Sequence, residues 1–203
     1  MKLYNSVGPN PAVVRMFAAE KGMSLPLVEV DLVAGENRQA AHLARNSAGQ
    51  LPCLELDDGS FLSEVTAVCE YLEEVQPAPA LIGRDAAERG ETRMWTRRVD
   101  LNVCEPMGMG FRFGEGLRLF KDRIFTIPEA SDGLKKLAQD RLGWLDEQLN
   151  GRAYLCGERF TLADILLFCF LRFGATVGQP LNPSFDNLQR WYADVAERPS
   201  ASA

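Results

Sequence analysis

Residues 46–74 read NSAGQLPCLELDDGSFLSEVTAVCEYLEE: a Gly-containing turn, an X-Pro step, two short apolar runs about an Asp-Asp-Gly turn, and the polar start of a helix. Proline cannot donate to a sheet ladder, so the Leu51-Pro52 step predicts unpaired backbone at Leu51. The run 53–56 leads into Asp57-Asp58-Gly59, a hairpin turn in which glycine supplies positive φ, and Phe61-Leu62 resumes the strand pattern. Ser63-Glu64 then opens a helix whose apolar face is Ala67, Val68, Tyr71 and Leu72. Free N–H groups and the positive dipole end at that helix start favour an anion, while the Glu64 carboxylate suits an ammonium. Together they fit the zwitterionic head of an amino acid.

The chain on either side extends the pattern. Residues 2–5 read as a strand, 7–11 as a Gly and Pro loop, 13–21 as a helix closed by Gly22, and 27–31 as a second strand. Residues 34–46 are polar with helical stretches. The order is a βαβ unit followed by a hairpin and a helix, the α/β order of a thioredoxin-like domain. Pro77-Ala78-Pro79-Ala80, with Gly83 after it, marks a linker. The expected division is a domain over 1–76, a linker over 77–84 and an all-helical domain over 85–203. In the last, 86–103 is a charged amphipathic helix, and Pro106, Gly108, Gly110, Gly114 and Gly116 predict a kinked or broken segment before a stretch over 117–124. Residues 134–149 form another helix. Thr161-Leu162-Ala163-Asp164 is a capping box opening a helix, 165–173, that is apolar nearly all round and so belongs in the core. Asp164 is read as a helix cap rather than a catalytic acid.

Composition limits the function. The chain of 203 residues is 46% hydrophobic and 25% charged, an ordinary globular balance. A net charge of -6 argues against a nucleic-acid surface, which needs clustered Lys and Arg. No signal peptide is expected, and no apolar run approaches the roughly 20 residues that span a bilayer, so no membrane partner is expected either. The five cysteines show neither Cys-x-x-Cys nor zinc spacing. They read as reduced thiols in a cytoplasmic protein without metal.

Glycine, an X-Pro step, a hairpin and Ser-Glu before Ala-Val-Cys-Glu-Tyr-Leu resemble the glutathione site of the glutathione transferase superfamily. Gly157-x-x-Phe160-Thr161-x-Ala163-Asp164 is similar to its C-terminal domain, so the resemblance spans essentially the whole chain. It implies a thioredoxin-like N-terminal domain with a cis proline at Pro52, and an all-helical C-terminal domain. It also implies that Leu51 pairs its backbone with the cysteinyl part of glutathione, and that Glu64 and the Val65 backbone hold the γ-glutamyl end. Many relatives carry serine where this chain has Val65, so one hydroxyl donor is missing. Gln50 and Arg38 are the groups best placed for the glycyl carboxylate.

In this family a Tyr, Ser or Cys after the first strand donates a hydrogen bond to the glutathione sulfur, stabilising the nucleophilic thiolate. Here the loop reads Asn5-Ser6-Val7-Gly8-Pro9-Asn10-Pro11. The available donors are Asn10, Ser6 and the backbone, with Asn10 also readable as a turn or N-cap residue before Pro11. His42, the only histidine, reads as a surface or helix-face residue, and Cys53 as a packed thiol. The electrophile's pocket is expected between the domains, walled by Trp95, Met107, Met109, Phe111 and Phe113 with Arg98 and Arg112 to attract an anion. The competing reading of those apolar residues is core or interface. The activity implied is conjugation of glutathione to a small hydrophobic electrophile, in detoxification, by a homodimer. The alternatives are a non-catalytic glutathione-binding or protein-interaction module, and a glutathione-dependent peroxidase or reductase.

Overall fold

The computed structural model describes residues 1–203. Four short strands, β1 (Lys2–Asn5), β2 (Leu27–Glu29), β3 (Cys53–Glu55) and β4 (Phe61–Ser63), form one mixed sheet in the order β2-β1-β3-β4. β1 runs parallel to β2 and antiparallel to β3, which is antiparallel to β4. The parallel pair needs a crossover, and α1 (Pro9–Glu20) provides it. A 3-10 turn (Glu36–Arg38) and α2 (Ala40–Leu43) lead to β3, and α3 (Val65–Val75) follows β4 and packs beside α1. Helix α1 begins earlier than its periodicity predicts, because Pro9 and Pro11 sit in the first turn, where no N–H is required.

The far ends of α1 and α3 are tied by charge. Lys21, the C-cap of α1, places a fully buried ammonium 2.5 Å from the Glu73 carboxylate of α3. The same ammonium donates to the carbonyls of Gln76 (2.6 Å) and Pro79 (2.7 Å). Three acceptors therefore meet its three N–H bonds.

The chain divides into two compact units, Met1–Ala80 with Ser202–Ala203, and Leu81–Ala201. The second contains α4 (Ala86–Val99), α5 (Glu105–Phe113), α6 (Leu117–Phe120), α7 (Ser131–Gln148), α8 (Leu162–Thr176) and α9 (Asp186–Ala196). The expected linker is shorter at its far end. Leu81 and Ile82 are buried, and the Leu81 carbonyl accepts the Leu162 N–H at 2.9 Å, so the chain joins the helical unit from residue 81. The kinked or broken segment lies beyond Pro106, at 114–116, where α5 ends and α6 begins. A π-helical turn over Asp100–Cys104 lets α4 run on into α5, with Pro106 in the first turn of α5. Gly110 is there for close packing: a Cβ would lie 2.9 Å from Lys135 Cγ, and the Ser131 hydroxyl donates to its carbonyl at 2.8 Å.

Helix α8 is buried along 162–171, and the carboxylate at its start organises the unit. Asp164 Oδ2 accepts from the Thr161 N–H (3.0 Å) and hydroxyl (3.1 Å), while Oδ1 accepts from the Leu155 N–H and Trp191 Nε1, both at 3.0 Å. The capping box of the sequence is thus half of a four-donor hub. Asp164→Ala leaves buried donors in α8, α9 and the preceding loop without partners, and it should lower the unfolding free energy by about 3 kcal/mol or more in urea titration. Burial pushes this carboxyl up to about 6 against the four donors. The folded state then holds the proton more tightly than the unfolded chain. Its contribution to stability is full below about pH 4 and lost as pH rises through about 6, so Asp164→Asn should remove that part of the decline in stability over this window.

Candidate functional site

The strand register brings three loops to one end of the sheet. Tyr4 lies opposite Cys53 and Cys53 opposite Ser63, so the chain leaving β1 at Asn5, entering β3 from Pro52 and leaving β4 at Ser63 all meet there. Leu51-Pro52 is a cis peptide. The Leu51 side chain is buried with Tyr4, Val30 and Cys53, yet its backbone N–H and carbonyl bond to no other part of the chain. A strand-like edge one residue long is open.

The loop before it is held by side chains. Arg38 Nη1 donates to the Ala48 carbonyl at 3.3 Å, Asn37 Nδ2 to that of Gly49 at 2.7 Å, and Asn46 Nδ2 to that of Gln50 at 3.0 Å. His42 Nε2 lies 3.0 Å from the same Gln50 oxygen. Gly49 adopts φ 62, and a Cβ there would come 2.9 Å from Arg38 Nη1, so glycine is required twice over. His42 is 2% exposed on α2, so of its two readings the surface one is corrected and the helix-face one stands: a backbone carbonyl eight residues on takes its proton. Asn37 and Asn46 were not singled out from the sequence at all. Their partners are main-chain oxygens, which leave no mark in residue type. The Gln50 side chain is exposed and Arg38 is half-buried.

Glu64 caps α3 with φ 68 and ψ 121, a conformation that costs a non-glycine residue on the order of 1–3 kcal/mol. Its side chain does not cap the helix, and the first turn holds no acid, so the N–H groups from Val65 onward are left open. Helix α1 is similar, with Gly8 as its cap and no side chain bonded to its first turn. Asn10 lies within that turn, half-buried, and is not the N-cap. Ser6, one of the expected sulfur donors, is engaged within the fold. Its hydroxyl is buried and donates its only proton to the Val30 carbonyl at 2.7 Å. Cys53 is inert at neutral pH, because burial pushes its thiol up to about 11.

On the helical unit the expected pocket residues separate. Met107 is wholly buried against Gly174, and Trp95 is buried with its ring stacked on Trp144 at 5.9 Å. Both are core side chains, the role weighed against pocket lining in the sequence. The Arg98 guanidinium lies 4.9 Å from the Trp95 ring. Phe111 and Arg112 remain half-buried, Phe111 edge-on to Phe120 and Phe173, and Arg112 5.7 Å from the Phe120 ring. No helix is long and apolar enough to cross a membrane.

Known proteins share both parts of this architecture. Family models of the glutathione S-transferase N-terminal and C-terminal domains match residues 1–74 and 127–199. The chain belongs to the glutathione S-transferase family. Glutathione S-transferase 2 of Saccharomyces cerevisiae is 31% identical over 98% of this chain and 87% of its own length. The glutathione S-transferase GstA of Escherichia coli O157:H7 is 29% identical over 98% of this chain and 94% of its own. The crystal structure of Gtt2 from Saccharomyces cerevisiae superposes with a TM-score of 0.93 at 32% identity, covering 100% of this chain and 99% of that one. The thioredoxin-like domain followed by a helical domain is therefore the glutathione transferase fold.

The strained backbone at Glu64 of this transferase makes a testable trade. Glu64→Gly relieves the φ strain, less the 0.5–1 kcal/mol of added chain entropy, and should raise the unfolding free energy by about 1 kcal/mol while weakening retention on glutathione resin. Denaturant unfolding and resin binding on the same sample check both halves.

Proposed function

We propose that this chain binds reduced glutathione across the sheet end and transfers its sulfur to a small hydrophobic electrophile. The observation that carries the reading is the open backbone of Leu51. An extended cysteinyl residue can donate its N–H to the Leu51 carbonyl and accept the Leu51 N–H, and no group of the protein competes. The γ-glutamyl ammonium is assigned to the Glu64 carboxylate, and the adjoining carboxylate to the α3 N–H groups from Val65. Gln50 and Arg38 are assigned to the glycyl carboxylate.

The sulfur is assigned to the start of α1. The Asn10 N–H between Pro9 and Pro11 and the helix dipole stabilise an anion, and the Asn10 side-chain amide donates without ionising, so the thiolate gains stability near neutral pH. The thiolate then attacks an electrophilic carbon. A C–S bond forms, the thiol proton has gone to solvent, and the leaving group departs with the electron pair of its bond. Cytoplasmic location, detoxification and a homodimer form the part of the reading that rests on family resemblance.

A second reading is favoured by one observation. With Ser6 committed to Val30, the loop after β1 offers no ionisable side chain to the sulfur, which suits a module that binds glutathione without turning it over. Calorimetry with glutathione followed by a conjugation assay with an activated aryl chloride separates the two. Heat with turnover supports the transferase, heat without turnover supports the module, and no heat removes both. Within the transferase reading, Asn10→Ala should lower kcat/KM for conjugation about 10-fold, near 1.4 kcal/mol of transition-state stabilisation, at an unchanged melting temperature. Full activity in that variant removes Asn10 from the mechanism.

A further inference from the structure

We infer that His42 is a positioning residue for glutathione, acting on the Leu51 grip through the Gln50 carbonyl; the inference rests on the glutathione reading above. Three successive carbonyls, those of Ala48, Gly49 and Gln50, are each taken by a side chain from residues 37–46. The third takes two donors, His42 Nε2 and Asn46 Nδ2, each at 3.0 Å. A carbonyl oxygen has two lone-pair directions, and filling both fixes the plane of the Gln50–Leu51 peptide. That plane contains the Leu51 N–H. The donor offered to glutathione is thereby aimed before the ligand arrives, which lowers the ordering cost of binding.

The clamp also dictates the chemistry of the imidazole. A carbonyl only accepts, so Nε2 carries the hydrogen, and Nδ1 is left buried without a partner in the protein. This unmet nitrogen is a cost that a purely structural position would fill with an apolar side chain. A phenylalanine there would pack the same space and leave Gln50 with one donor. His42 is 2% exposed, so its effect passes through the backbone, on ground-state binding of the tripeptide and not on the chemical step.

The chain has one histidine, so its imidazole signals are unambiguous. In protein carrying 15N-histidine, the free enzyme should show the Nε2–H tautomer, and saturating glutathione should shift the Nε2 resonance. His42→Phe should raise KM for glutathione about 5- to 20-fold with kcat within 2-fold, and His42→Gln, whose amide can donate to the same carbonyl, should recover most of the loss. An Nδ1–H tautomer, a His42→Phe enzyme with wild-type KM, or a His42→Gln enzyme no better than His42→Phe overturns the inference. Should His42→Phe not fold, the tautomer and the ligand-induced shift in wild-type protein decide it. Wild-type protein that gives no heat with glutathione overturns the glutathione reading itself. Wild-type heat with an unresponsive imidazole overturns only the role of His42.

Discussion

The ammonium of Lys21 is the constraint on which the N-terminal unit depends. Removing an ion from water costs several kcal/mol, and here the cost is offset only because Glu73 and two carbonyls surround it. Such a group admits one arrangement of its neighbours. It ties the C-cap of α1 to the third turn of α3 and to the chain that follows, so the two helices cannot slide past each other. Both helices begin at the opposite end, beside Leu51. A contact far from the site thus sets the spacing between the two helix starts that flank it.

Helix starts in the helical unit are met by side chains at α4, α8 and α9 and lack such caps at α5, α6 and α7. In the helical unit, Asp85 accepts the Glu88 N–H at the start of α4, the capping box closes α8, and Asp146 of α7 accepts the Leu188 N–H in the first turn of α9. At the sheet end of the N-terminal unit, α1 and α3 are uncapped by side chains, Leu51 is unpaired and Glu64 holds a strained φ. Each departure costs stability at the same end of the sheet. Local rules broken together in one place, with a rigid frame behind them, are what a binding site looks like in energetic terms.

That frame shows how much of the site was legible in residues 46–74. Proline at 52 announces an interrupted ladder at Leu51, and Ser63-Glu64 before an apolar periodicity announces a helix start, because both effects are local to the backbone. The clamp on residues 48–50 was not legible, since Asn37, His42 and Asn46 act on carbonyl oxygens that every residue possesses. Ser6 misled for the related reason that a hydroxyl's only proton can be spent on the Val30 carbonyl, 24 residues away. Trp95 and Met107 were ambiguous because an apolar side chain on a helix reads alike whether it faces a core or a cavity.

What the sequence by itself determined was the order of elements, the glutathione transferase fold and the interrupted backbone at Leu51-Pro52. Periodicity, proline, glycine and capping residues encode these within a few turns of chain. Only tertiary structure decided which polar groups are free and which are already used. Hydrogen-bond capacity is consumed pairwise between residues distant in sequence, and a donor's availability is a property of its partner's position.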